Sequence, residues 1–182
     1  MKRVIPNNFS LVRYGVHVRL AREEDSAFIL SLRSDSLSSV LHTEGNSLEK
    51  QVLWMRNYKK REEDGKEYYF IYDVDGVPFA LNRIYNITDD GAITGSWVTQ
   101  PGTDARYSIA TLLIEKDIFF EMLHFEKNTF DVRKGNRKVI RLHKWMGAII
   151  TSENDEVYYW ELSKDNYMLA KNKIKRMFNI YD

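Results

Sequence analysis

Val132 to Ala148 reads V-R-K-G-N-R-K-V-I-R-L-H-K-W-M-G-A and couples an apolar strand end to a short helix, with Asn136 at the junction. A compact side chain with a donor and an acceptor suits recognition of an amide, and it equally suits capping the first turn of a helix. His143, on the basic run R-K-V-I-R-L-H-K, titrates near neutrality and can supply a proton; the alternative is a solvated surface residue. The chain has no Cys, which excludes a thiol nucleophile, disulfides and Cys-ligated zinc or iron-sulfur clusters. His17, His42 and His124 are scattered without a ligand spacing such as H-E-x-x-H, so no catalytic metal is expected.

These residues must be positioned by elements that the periodicity makes visible. Val16 to Leu20 alternates as a half-buried strand, and Arg22 to Arg33 follows with a helical face of Ala27, Phe28 and Leu30. Residues 34–46 read as a loop or broken helix, after which Ser47 caps a helix whose apolar side is Val52, Leu53, Met55 and Tyr58. Glu67 to Asp73 and Phe79 to Ile87 form a hairpin over Asp75-Gly76, and Asp90-Gly91 repeats the turn signal before Ala92 to Val98. Gln100 to Thr103 interrupts the pattern with a Pro-Gly turn. Ile109, Leu112, Leu113, Phe120 and Leu123 then mark a long helix over Asp104 to Met122. A strand at Asn128 to Val132, the short helix Lys138 to Met146, a hairpin of Ala148–Ser152 with Val157–Leu162, and a basic helix from Ser163 to Phe178 complete the chain.

With 182 residues the chain has the size of one domain, taken as residues 1–182. The 27 basic and 26 acidic residues nearly cancel, so no whole-molecule field favours nucleic acid or an anionic membrane, and an anionic ligand has to be held locally. The start M-K-R-V-I-P-N-N lacks the apolar core of a signal peptide, and no apolar run approaches the roughly 20 residues of a membrane span. The expected location is the cytoplasm. Tyr158, Tyr159 and Trp160 precede a lysine-rich helix, but Tyr167, Ala170, Ile174 and Met177 give that helix one packing face with the lysines as its solvated side.

The order of elements is strand, two helices, three antiparallel strands, a long helix, a strand, a short helix and two strands. Together with Asn136, Val139 and Gly147 it resembles the GNAT N-acetyltransferase superfamily, over about residues 15 to 165. Leu32-Arg33, Ser47-Leu48-Glu49 and Trp54 resemble the branch of ribosomal-protein and amino-sugar acetyltransferases. The resemblance implies an α+β fold, a mostly antiparallel twisted sheet of about seven strands flanked by helices, splayed between the fourth and fifth strands. It also implies acetyl-CoA as co-substrate and direct attack of a primary amine on the thioester, which needs a neutral amine, a polarised carbonyl and a proton for the thiolate.

The same resemblance assigns roles to residues. Trp97, Val98 and Thr99 line the strand beside the thioester, with Val98 and Val132 flanking the splay. Thr103, Asp104, Ala105, Arg106, Tyr107 and Ser108 form the turn and helix start that hold the CoA pyrophosphate. Here that segment, Q-P-G-T-D-A-R-Y-S, departs from the glycine-rich family version: Gly102 is its one glycine and Asp104 brings negative charge, which Arg106 offsets. Asn136 bonds the pantetheine region. His143 stands where the family often has the Tyr that protonates the thiolate; failing it, water or Tyr107 supplies the proton. Glu44 or Asp131 accepts the amine proton, and Arg33, Asn82 and Tyr85 bound the acceptor cleft. The acceptor expected is a small metabolite such as an amino-sugar nucleotide, since a balanced charge gives no acidic docking face for a basic ribosomal protein. The alternatives are a protein N-terminal acetyltransferase and an inactive acyl-CoA-binding module, and a homodimer is common in the family.

Overall fold

In a computed structural model, residues 3–34 and 47–181 are described. Glu44 and His42 lie outside the described residues. The strands are β1 (Ser10–Arg13), β2 (Val16–Leu20), β3 (Tyr68–Val74), β4 (Val77–Tyr85), β5 (Ile93–Thr99), β6 (Lys127–Arg133), β7 (Ile149–Glu153) and β8 (Val157–Ser163). The helices are α1 (Ser26–Ser34), α2 (Leu48–Glu63), α3 (Ala105–Asp117), α4 (Arg137–Trp145) and α5 (Lys164–Met177).

Among the described residues the eight strands join one sheet in the order β1-β2-β3-β4-β5-β6-β8-β7, antiparallel except for β5 against β6. The additional strand is β1, a short segment of the polar lead-in that pairs with β2 from Ser10↔Arg19 to Arg13↔Val16. The expected splay between the fourth and fifth strands therefore falls between β5 and β6. Asp75 and Gly76 both take positive φ, 51° and 78°, as a two-residue hairpin turn requires. The second turn signal is part of a longer connection, residues 86–92, closed by Thr88 N–H donating to the Gly91 carbonyl at 2.9 Å.

The sheet separates two apolar layers. On one face Ile29, Leu32, Met55 and Tyr58 from α1 and α2 pack on Tyr69, Ile71 and Leu81. On the other, α3 and α5 cover Val16, Val18, Phe70, Phe130 and Trp160. From Ile109 to Asp117 every residue of α3 is buried, including the charges Glu115, Lys116 and Asp117. Asp117 answers its burial with a network: Tyr14 Oη and Tyr167 Oη donate to its carboxylate at 2.7 and 2.6 Å, and Lys171 and Arg13 pair with it. That network pins α5 differently from the sequence expectation, since Lys171 is buried while Met177 is 46% exposed. Trp160 is core, 1% exposed and stacked on Phe130. Leu53 on α2 is exposed and Gln51 is buried in its place.

Candidate active site

β5 and β6 are in register at a single pair, Ile93↔Thr129, and then diverge. Beside that pair the strands are held by Thr94 and Asn128, whose side-chain oxygens lie 3.1 Å apart. Above it they leave a cavity of about 240 Å³ walled by Gly95–Trp97 of β5, Phe130–Arg133 of β6, Leu112, Glu115 and Lys116 of α3, and Asn136, Val139 and His143 of α4. Opposite the single residue Asn82 of β4, β5 places both Ser96 and Trp97, because the register shifts between Leu81↔Val98 and Arg83↔Gly95. Such a bulge leaves one residue's backbone groups outside the ladder. Ser96 has φ 53°, an uncommon value for a residue with a Cβ. The bulge therefore offers backbone hydrogen-bonding groups at the mouth of the splay.

Asn136 caps α4, its Oδ1 accepting from Val139 N–H at 3.4 Å, and it also walls the cavity. Gly147 ends that helix at φ 83°, where an added Cβ would come within 3.1 Å of the Asn166 side chain. Trp97 donates from Nε1 to Thr111 Oγ1 at 2.9 Å, fixing β5 on α3. Val98 packs on the α1/α2 side of the sheet. At the start of α3, Asp104 is the cap: its Oδ1 accepts from Arg106 N–H at 2.7 Å, while Thr103 Oγ1 donates to the Gln100 carbonyl at 2.7 Å. A carboxylate thus already occupies a backbone donor of the helix end. Arg106 lies 4.5 Å over the Tyr107 ring, which packs on Phe79 and does not wall the cavity.

His143 is neither solvated nor a neutral-pH acid. It is 5% exposed, 4.2 Å from the Phe130 ring, with Nδ1 unpartnered. Burial, reinforced by the charge of Lys116, lowers its pKa to about 3, so the ring is neutral at physiological pH and the imidazolium is not at hand. Beside it lies a buried ion pair that the sequence reading missed. Lys116 Nζ pairs with Glu115 Oε2 at 2.9 Å and donates to Asn128 Oδ1 at 2.6 Å and Thr94 Oγ1 at 3.0 Å. Burial pushes Glu115 up and Lys116 down, each opposed by the other's charge. Glu115 Oε1 has no partner, although the residue is 1% exposed.

The residues expected at the acceptor cleft separate. Tyr85 walls the splay cavity, and its phenol is held above the ordinary value by burial and then by the charge of Asp131. Asp131, exposed on β6, walls the same cavity. Asn82 is 0% exposed and accepts from Tyr72 Oη at 3.0 Å, so it is not a cleft residue. Strand alternation turns it toward α3 and its neighbour Arg83 toward α2. Arg33, at the end of α1, acts on the buried phenol of Tyr69, whose pKa burial nonetheless raises to about 12. On the α2 side a second cleft of about 540 Å³ shares Tyr85 with the first, and includes Trp54, Arg61, Lys66, Glu67 and Arg83.

A one-sheet α+β fold whose single parallel strand pair splays around a cavity, with a bulged strand on one side and an Asn-capped helix on the other, defines an acyltransferase of the GNAT kind. FdhC in its apo form, described as a nucleotide-linked sugar GNAT, is 34% identical with a TM-score of 0.83, and the match covers 94% of this chain and 99% of that one. The chain belongs to the GNAT superfamily of N-acetyltransferases. A spermidine N-acetyltransferase from Vibrio cholerae, in complex with CoA and spermine, shares the fold at 17% identity and TM-score 0.72, covering 85% of this chain and 98% of that one. A chimera of the Vibrio cholerae enzyme SpeG and hSSAT does so at 16% and 0.73, with the same coverage. No family model matches the chain, and no curated protein does. Among the described residues no helix is long and apolar enough to cross a membrane, and no group of three or more His, Asp or Glu side chains could hold a metal ion.

Proposed function

We propose that the protein transfers acetyl from acetyl-CoA to the primary amine of a small metabolite, an amino-sugar nucleotide being the class that fits best. The observation that carries the reading is the splay itself: a bulge at Ser96 faces a cavity whose other edge is Asn136, and Tyr85 joins that cavity to a cationic cleft. The relation to a nucleotide-linked sugar GNAT at 34% identity supports the acceptor class.

The residues present fit acetyl-CoA. Ser96 and Trp97, rather than Val98 and Thr99, border the splay, Asn136 offers its amide, and residues 103–108 with Arg106 would hold the pyrophosphate at the start of α3. The bulged backbone at Ser96 and Trp97 polarises the thioester carbonyl, a donor pre-aimed in a site partly closed to water. Asp131 takes the proton of the incoming ammonium. Tyr85, which burial keeps protonated at neutral pH, gives the proton that His143 cannot. Orientation of the two reactants by the shared wall supplies much of the remaining acceleration.

The test is CoA-thiol release with acetyl-CoA and a panel of amines: amino-sugar nucleotides, nucleotide-free amino sugars, spermidine and a peptide with a free N-terminus. The nucleotide-linked amino sugars should give the highest kcat/KM. Preference for the peptide or the polyamine would refute the acceptor assignment.

A further inference from the structure

The second cleft is built for an anion. It lies between α2 and the β4–β5 connection, and its walls are fastened together where Ile87 N–H donates to the Lys66 carbonyl at 3.2 Å. Three cations, Arg61, Lys66 and Arg83, and one carboxylate, Glu67, line the cleft, and Asp64 pairs with Lys66 at its edge, so the local balance is three minus two, or +1. Three cationic side chains thus converge on one cleft of a chain whose charges otherwise nearly cancel.

Its internal contacts set the guanidinium groups rather than cancel them. Glu67, 3% exposed, accepts from Arg61 Nε at 2.6 Å and from Arg83 Nε at 2.7 Å. The Arg61 contact uses Nε, and the two terminal nitrogens form the fork that matches phosphate oxygens. Arg83 lies 4.9 Å from the centres of both the Trp54 and the Tyr85 rings, and Arg61 lies 5.3 Å over Trp54. Flat guanidinium and indole surfaces beside phosphate-binding cations are the means by which proteins hold a nucleobase and its phosphates together. Lys66 is paired with Asp64 at 3.3 Å, with both side chains more than 60% exposed at 64% and 61%. So exposed a pair is worth little and exchanges readily for a phosphate.

Building on the amino-sugar nucleotide reading, we propose that this cleft seats the nucleoside diphosphate of the acceptor, with Arg61 and Lys66 on the diphosphate and Trp54 with Arg83 against the base. Tyr85, common to both cavities, then marks where the attached sugar turns its amine into the splay. A polyamine is excluded from the same cleft by like charge.

The direct test is calorimetric titration of the intact protein with UDP and with dTDP. Wild type should bind at least one of them in the micromolar range. Lys66→Glu should weaken that binding at least tenfold, with acetyl-CoA affinity and melting temperature unchanged; Arg61→Gln should weaken it as much, with acetyl-CoA affinity unchanged but a lower melting temperature, because it removes one of the two arginines paired with buried Glu67. Lys66 is a surface residue, so its variant reads binding rather than folding. In turnover, the same variants should raise the KM for an amino-sugar nucleotide at least tenfold, leaving kcat within twofold and the KM for a nucleotide-free amino sugar unaltered. Wild-type acetylation of nucleotide-linked sugars that neither variant disturbs would overturn this site while leaving the acceptor reading intact. Nucleotide binding lost in the variants, without turnover of any nucleotide-linked amine, would uphold the site and overturn the acceptor reading. Failure of wild type to bind either nucleotide would overturn the site.

Discussion

Asn136 has two duties that substitutions can separate. As cap of α4 it accepts from Val139 N–H, and as a cavity wall it is the residue we propose for the pantetheine arm. Asn136→Ala should cost about 1 kcal/mol of stability through the lost cap and weaken acetyl-CoA binding roughly tenfold. Asn136→Ser should restore the stability but not the affinity; recovery of both in calorimetry would reduce the residue to a cap. Asp104 poses the opposite question, since its carboxylate caps α3 where the proposed pyrophosphate site would need backbone donors. Asp104→Asn keeps a good cap and removes the charge, so the KM for acetyl-CoA should fall several-fold; a rise would place the pyrophosphate elsewhere. His143 yields a signed pH dependence. Its folded pKa of about 3 lies below the ordinary 6.5, so the unfolded chain takes up the proton first. Its contribution to stability is complete above about pH 6.5 and is lost as pH falls toward 3. Urea midpoints between pH 4 and 7 should slope less for His143→Phe than for wild type, while turnover between pH 6 and 9 keeps the shape of its profile.

Helix α3 shows what an element adds. Lys116 is satisfied by three oxygens from three elements, and its neighbour Glu115 depends on it. Lys116→Met should therefore destabilise the fold by about 3–5 kcal/mol, because it strands a buried carboxylate. Glu115→Gln combined with Lys116→Met should recover most of that loss in chemical denaturation; no recovery would mean that the lysine, not the charge balance, holds the β5–β6 junction. This pair also marks how far the sequence can be read. The strands and helices were visible because their periods are strong, and even the splay falls between the two strands expected to frame it. In L-L-I-E-K-D-I-F-F three consecutive charges interrupt an apolar run, a signal for buried charge that the helical-face reading passed over. β1 escaped because four residues in a polar lead-in carry little alternation. Asn82 was expected at the cleft when alternation delivers Arg83 there, and only the pairing of β4 with its neighbours decides which face is which. The cationic cleft was invisible for another reason: its walls come from α2, β4 and a connecting loop, and no local pattern announces their convergence.

At the scale of the whole molecule, the sheet stands between two cavities. One is walled by α3 and α4, the other by α2 and the β4–β5 connection, and Tyr85 is the residue they share. Two substrates approaching from different helical layers can occupy such a site together, and the chain has no cysteine to carry acetyl between them. Other nucleophiles are poorly placed for a covalent relay as well: His143 is buried beneath aromatic rings, and Lys116 has its donors committed to Glu115, Thr94 and Asn128. Direct attack within a ternary complex is therefore the mechanism we propose. Initial rates measured over a grid of acetyl-CoA and acceptor concentrations should give intersecting double-reciprocal lines, and mass spectrometry after incubation with acetyl-CoA alone should show no stoichiometric acetyl-protein. Parallel lines together with an acetylated protein that passes its acetyl group to added amine would establish a covalent relay and overturn the direct-transfer mechanism.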